Sequence, residues 1–193
     1  VLDAYYAMFR GAIFDPGARS FQLQIKPLTD SLFFSIPLVL GGLGLALGFR
    51  AGLFNIGGKG QIIFGALSAV WVGFAMNLPP VIHTLVALLA AMVAGALYAG
   101  IAGVLKAKTG ANEVIVTIML NSIATLALGY ILSKPSWQVP GSNQPQTPKV
   151  ADSAAFARIL DAPFKIHMGV FVALLAVIIF WWLIERSTLG FEI

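Results

Sequence analysis

The sequence predicts an all-α membrane protein, a polytopic bundle of transmembrane helices, and three observations carry that prediction. Of the 193 residues, 59% are hydrophobic and only 10% are charged, against about 25% charged in soluble domains. Mean hydropathy is +0.89. The apolar residues fall in runs long enough for a hydrocarbon core of roughly 30 Å, separated by short connections rich in Gly, Pro and Lys or Arg. The net charge of +4 does not point to nucleic acid. The basic residues are scattered through connecting segments and form no stripe between aromatic platforms. With no cysteine, disulfides, thiolate metal sites and cysteine nucleophiles are excluded.

Residues 1–26 are mixed in character. Tyr5, Tyr6, Phe9 and Ile13 form a weak helical face before the breaker Asp15-Pro-Gly17, and the segment reads as interfacial. Pro27 opens the first span, 28–49, which carries Asp30, Pro37 and a glycine cluster. Gly44, Gly48 and Gly52 recur every four residues, a face that permits close helix contact. The second span is 53–76, ended by Asn77-Leu-Pro-Pro80. The third is 81–105, where Ala87, Ala91, Gly95, Ala99 and Gly103 make a longer seam of the same kind. The fourth is 113–132, with Asn121 and Ser122 near its middle. The polar connection 133–165 holds five prolines and an amphipathic patch over 154–160. The fifth span, 166–184, ends in the interfacial pair Trp181-Trp182.

Five spans put the two ends on opposite sides. Arg50 and Lys59, then Lys106 and Lys108, then Arg186 all fall on one side by parity, and the positive-inside rule makes that side cytosolic. Residues 1–26 and 133–165 are then extracytoplasmic. Neither end shows a natural terminus, since Val1 is not an initiator and Ile193 follows a span directly. The chain therefore reads as a fragment of a longer polypeptide.

The stretch from Phe49 to Gly65 sets Arg50, Asn55, Lys59, Gln61 and a run of glycines between two apolar spans. Charge, amides and irregular backbone persist at membrane depth only where protein or a water path surrounds them. Asn55 and Gln61 here, and Asn121 with Ser122 in the fourth span, are candidates for a translocation path. The same residues serve equally as a structural core that hydrogen-bonds neighbouring helices. Gly57-Gly-Lys-Gly60 is not a phosphate loop: Leu53 stands where the pattern needs Gly, Gly60 where it needs Ser or Thr, and no strand precedes it. His83 and His167 sit near span ends without a second His or carboxylate at helical spacing, so interfacial polar tips are expected and a metal site is not. Glu113 opens the fourth span, where a carboxylate complements the helix dipole and caps free amides. No catalytic constellation is legible.

Phe49-Arg-Ala-Gly-Leu-Phe-Asn-Ile-Gly-Gly-Lys-Gly-Gln61 resembles the F-R-A-G-L-F-N-I-G-x-E-G-Q hallmark of ABC-transporter permeases of the simple-sugar and nucleoside importer group, within the branched-chain amino acid/ribose permease superfamily. Arg50, Gly52, Asn55, Gly57, Gly58 and Gly60 fall on the motif. Lys59 stands where Glu is frequent. Gly110-Ala-Asn-Glu-Val-Ile-Val-Thr-Ile-Met-Leu-Asn121, with Asn112 and Glu113, is similar to a second block of the family. Ser187-Thr-Leu-Gly-Phe-Glu-Ile193 is similar to the segment leading into the coupling helix. The resemblance implies roughly the N-terminal half of a ten-span permease in a prokaryotic plasma membrane. It implies no enzymatic activity or cofactor in this chain, with ATP bound and hydrolysed by separate ATPase subunits. A second permease subunit and an extracytoplasmic solute-binding protein or lipoprotein are the further partners. Nucleosides are the expected solute, with ribose-like sugars or branched-chain amino acids as alternatives. A non-transporting membrane scaffold is the alternative from another class.

Overall fold

The computed structural model describes residues 1–142 and 144–187 of the chain. Among them there are six α-helices and no strand: α1 Leu2–Ala12, α2 Phe21–Arg50, α3 Gly58–Ala75, α4 Pro80–Thr109, α5 Glu113–Leu132 and α6 Gly169–Arg186. Four helices (α2, α4, α5 and α6) are long and apolar enough to cross a membrane. The expected second span is present as α3, but it has only 18 residues and its first turn holds Lys59 and Gln61. By length and composition four helices qualify as spans, and α3 is a shorter helix in the place of the expected second one.

Close contacts divide the chain into two units, Val1–Leu47 with Phe156–Ile193, and Gly48–Ala155. In the first, α1 ends at the turn over 13–20, where Arg10 pairs with Asp15 at 2.5 Å. That guanidinium, bonded to the carboxylate, holds Asp15 below the usual carboxylate range. Ser31 in α2 donates to the Ala12 carbonyl at 2.7 Å and ties α1 down. Helix α2 begins six residues before the expected Pro27 boundary and carries both Pro27 and Pro37 inside it. Proline is tolerated within membrane helices because surrounding groups can satisfy the freed carbonyls, and α2 continues through both. The amphipathic patch over 154–160 does not form a helix. Arg158 instead bridges to His167, and Ile159 and Ile166 share a backbone hydrogen bond of 3.1 Å. His167 stacks on Phe156 at 5.5 Å and meets the edge of Phe33 at 5.2 Å.

In the second unit, α3 runs antiparallel to α4 and also packs on α5. Small residues set the α3–α4 spacing. A Cβ on Gly65 would stand 3.1 Å from the Ala91 carbonyl oxygen, and one on Gly95 would stand 3.4 Å from that of Gln61. The seam on α4 therefore does two jobs. Its Ala91–Gly95 part receives α3, while Ala99 and Gly103 face a cavity described below. The glycine face expected on α2 has a different role: a Cβ at Gly44 would meet nothing within 4 Å, and Gly48 and Gly52 belong to a turn.

Candidate functional site

The glycine-rich stretch follows α2 through a tight stop. Gly52 takes φ +70, the left-handed conformation that glycine adopts without a Cβ penalty. Its amide bonds the Phe49 carbonyl at 3.1 Å, and the Leu53 amide bonds that of Gly48 at 2.9 Å. This pair of bonds is the Schellman arrangement, which satisfies carbonyls left open at a helix end. Arg50, in the last turn of α2, is exposed.

Residues 53–57 then run without regular structure, and side chains supply the missing partners. Asn55 Oδ1 accepts from the Gly57 amide at 2.7 Å. Thr117 Oγ1, on α5, accepts from the Ile56 amide at 3.3 Å. Asn121, one turn further along α5, closes the set: its Nδ2 donates to the Ile56 carbonyl at 2.9 Å, and its Oδ1 accepts from the Gly60 amide at 2.8 Å. One amide side chain thus bonds the backbone on both sides of the loop-to-helix junction. Thr117 in turn donates to the Glu113 carbonyl at 2.7 Å, which fixes its rotamer.

The glycines are required by closeness here rather than by flexibility. A Cβ on Gly57 would lie 2.9 Å from Asn55 Oδ1 and 3.1 Å from Thr117 Cβ. On Gly60 it would lie 2.7 Å from Tyr98 Cε1. Tyr98 cannot easily withdraw, because its hydroxyl donates to the Leu120 carbonyl at 2.7 Å and its ring stacks on Phe64 at 4.3 Å. Loop 55–60 is therefore pinned by α4 and α5 together.

The register places this junction well inside the bundle. Gly60 is level with Tyr98, and α4 continues to Thr109, about 16 Å further at 1.5 Å per residue. The 30 residues of α4 give a length of about 45 Å. The junction thus lies well short of the end of α4, and the polar groups of its irregular backbone find partners on α5.

Beneath the loop lies a cavity of ≈ 160 Å³ walled by Asn55, Ala99, Gly103, Thr117 and the Lys106–Glu113 pair. Lys106 Nζ and Glu113 Oε1 are 2.7 Å apart and bridge the ends of α4 and α5. The cavity is below the roughly 300–1,000 Å³ of small-molecule sites and suits a few waters. Leu53, Asn55 and Lys106 line the same space, so the loop faces the Lys106 end of α4.

Of the other expected site residues, Ser122 and Lys59 are exposed and Gln61 and Gly58 are half-buried. Glu113 stands in the first turn of α5, as the helix dipole favours, with its carboxylate paired to Lys106; the N-cap itself is Asn112, which accepts from the Val114 amide at 3.0 Å and the Ile115 amide at 3.4 Å. Beyond Ser187, the stretch likened to a coupling segment lies outside the described residues.

Sequence reasoning passed over Thr117 and Tyr98. Thr117, Asn121 and Ala124 are spaced four and three apart, one face of a helix, and that spacing was the available signal. His83 was misread as an interfacial tip. It is fully buried, with Nε2 3.0 Å from the Val72 carbonyl oxygen and Nδ1 2.8 Å from Ser153 Oγ.

A family model described as branched-chain amino acid transport system / permease component matches residues 28–193. The chain belongs to this family. It is 44% identical over 165 residues to the guanosine ABC transporter permease protein NupP of Bacillus subtilis, covering 81% of this chain and 45% of that protein. It is 37% identical over 175 residues to the glucose ABC transporter permease protein TsgB13 of Haloferax volcanii, covering 86% and 46%. Identity to the nucleoside ABC transporter permease protein NupB of Lactococcus lactis is 32% over 166 residues, covering 81% and 45%. The chain thus spans about half the length of the curated relatives it matches. No solved structure matches it. Family membership and the four long apolar helices make it a membrane-embedded chain of the ABC permease class.

Proposed function

We propose that the chain is the first half of a permease subunit of an ATP-driven importer whose solute is a nucleoside. The observation that carries the solute class is the 44% identity to a guanosine permease. A simple sugar is the second reading, on the 37% identity to a glucose permease.

On this reading the chain performs no covalent chemistry. Separate ATPase subunits bind and hydrolyse ATP, a second permease subunit completes the pathway, and a solute-binding protein or lipoprotein delivers the solute outside. The Lys106 end, with Arg50, Lys59, Lys108 and Arg186, faces the cytosol, and residues 1–26 and 133–165 face outward. Asn121 acts as a structural core, since backbone occupies both atoms of its amide, and Asn55 joins it through Oδ1, which accepts from Gly57. The pinned loop makes α3, α4 and α5 move as one block during alternating access.

The test is uptake of labelled guanosine, uridine, ribose, glucose and leucine by cells with and without the intact gene. The expected loss is of nucleoside uptake, with leucine unaffected. Loss of glucose or ribose uptake alone would transfer the assignment to sugars. Unchanged uptake of all five would favour a scaffold that does not transport.

A further inference from the structure

Asp30 carries the one buried side-chain polar atom among the described residues that finds no hydrogen-bond partner. Its Oδ2 accepts from Lys26 Nζ, one turn earlier on α2, and its Oδ1 accepts from nothing. A buried carboxylate oxygen left without a donor is unfavourable, and nothing in the proposed transport cycle uses this pair. Lys26 and Asp30 form one wall of a cavity of ≈ 390 Å³ that Gly11 and Asp15 also line, a size within the roughly 300–1,000 Å³ of small-molecule sites. Arg10 adjoins it, with Nε on Asp15 Oδ1 at 2.7 Å. Two cations and two carboxylates are thus gathered at one point.

That point is the edge of a membrane span. Residues 31–49 contain no Asp, Glu, Lys or Arg. At 1.5 Å per residue this helical stretch is about 28 Å long, close to a hydrocarbon core of roughly 30 Å. Asp30 and Arg50 mark its two ends. Helix α1 is fastened at the Asp30 level: Ser31 bonds the Ala12 carbonyl, and the Asp15 amide donates to the Gln24 carbonyl at 3.0 Å. Along α1, Leu2, Tyr5, Tyr6 and Phe9 share one face and stand open, from 48% exposed at Phe9 to 84% at Leu2. Gly11, on the cavity, falls on the opposite side. Tyrosines gather at the headgroup level of a bilayer, and a helix with one such apolar face lies in that plane.

We propose that this cavity binds the headgroup of a phospholipid that bears a primary ammonium, the ethanolamine type, with α1 lying in the interface beside it. Charge and hydrogen-bonding capacity decide the class. The lipid ammonium supplies the donor that the Asp30 carboxylate lacks. The flexible, half-buried Lys26 side chain swings to the lipid phosphate, which opens the carboxylate to that ammonium. One ion pair becomes two. A choline headgroup has no N–H and leaves Oδ1 unsatisfied, and an anionic headgroup without an amine is repelled by both carboxylates. The bound lipid holds the start of α2 at a fixed depth.

The test titrates the intact permease, purified in detergent micelles, with dioleoyl phosphatidylethanolamine or dioleoyl phosphatidylcholine, and native mass spectrometry reads the bound fraction. The ethanolamine lipid should bind about tenfold more tightly, a factor equivalent to about 1.4 kcal/mol. Its N-methyl and N,N-dimethyl derivatives keep an N–H and should stay close to it, with the drop at the third methyl. This series alters no residue, so it stands even where a variant fails to fold. Asp30→Asn should bring the ethanolamine lipid down to the choline level. Asp152→Asn, at an exposed carboxylate of the other unit, should leave the ratio unchanged.

Equal affinity across the methyl series, or a preference that survives Asp30→Asn, would overturn the site. Equally tight binding of dioleoyl phosphatidylglycerol would overturn the ammonium's role. Soluble phosphoethanolamine that competes at the lipid's own concentration would overturn the lipid assignment in favour of a free solute. Binding is read without ATP, partner subunits or transport. A complex that imports none of the tested solutes would therefore refute the importer reading and leave this site standing.

Discussion

Asn121→Leu is the most direct perturbation of the pinned loop. Leucine is close to asparagine in length but can neither donate to the Ile56 carbonyl nor accept from the Gly60 amide, so bonds of 2.9 and 2.8 Å vanish together. Gly60 is buried, and an unsatisfied buried donor costs about 1–3 kcal/mol. Hydrogen bonds between membrane helices average about 0.6 kcal/mol and reach about 1.7. Two of them lost at once, one leaving a buried orphan, give an expected loss of about 1–3 kcal/mol. The loss is read as the shift in apparent unfolding free energy of the intact permease in mixed micelles. Ser122→Leu, at the exposed neighbouring position, is the control and should change stability by less than about 0.5 kcal/mol. If Asn121→Leu costs no more than Ser122→Leu, the loop is held by something other than this amide and the pinned-block account fails.

Three further outcomes follow from the geometry. Gly60→Ala should destabilise by about 1–3 kcal/mol through overpacking against Tyr98, whereas Gly42→Ala, with open space at its Cβ, should be neutral or stabilise by up to about 1 kcal/mol through helix propensity; thermal unfolding in detergent compares the two. Gly52→Ala, at φ +70, should cost about 1–2 kcal/mol without moving the Asn121 bonds, checked by the same unfolding assay in the Asn121→Leu background, where the two losses should add. The fourth concerns acid. Asp15 titrates below its usual range because Arg10 is bonded to it, so the contribution of this pair is present above the ordinary carboxylate pKa and is lost as pH falls through the lowered value. Arg10→Ala should therefore make the turn over 13–20 sensitive to limited proteolysis at a higher pH than in the parent chain, and equal pH profiles would contradict the pairing.

Much of the architecture was legible because membrane helices announce themselves by length and apolarity, and α2, α4, α5 and α6 follow that rule. The failures share a cause: local patterns were read where long-range contacts decide. Pro27 looked like a helix start because proline is common there, yet the helix begins at Phe21 and continues through it. The patch over 154–160 is held by backbone pairing of Arg158 with His167, a contact no local pattern announces. His83 looked like a polar tip because its partner Ser153 lies seventy residues away. In the candidate site, Asn121 stood out as an amide in an apolar run. That it grips Ile56 and Gly60 could not be read, since nothing in the sequence gives the register of α3 against α5. Glu113 drew attention by its charge, while the less conspicuous Asn112 does the capping.

The shortness of α3 bears on how the orientation of such chains is assigned. Counted by hydropathy, the described residues hold four crossings, an even number, and whether α3 is counted inverts the side assigned to everything after it. The helix nevertheless lies along α4 from its recessed start beside Tyr98 to Ala75 near the first turn of α4. Reporter fusions placed at Ala51 and Asn77, with α3 alone between them, should accordingly give opposite compartment signals, and equal signals would show that the recessed helix does not cross.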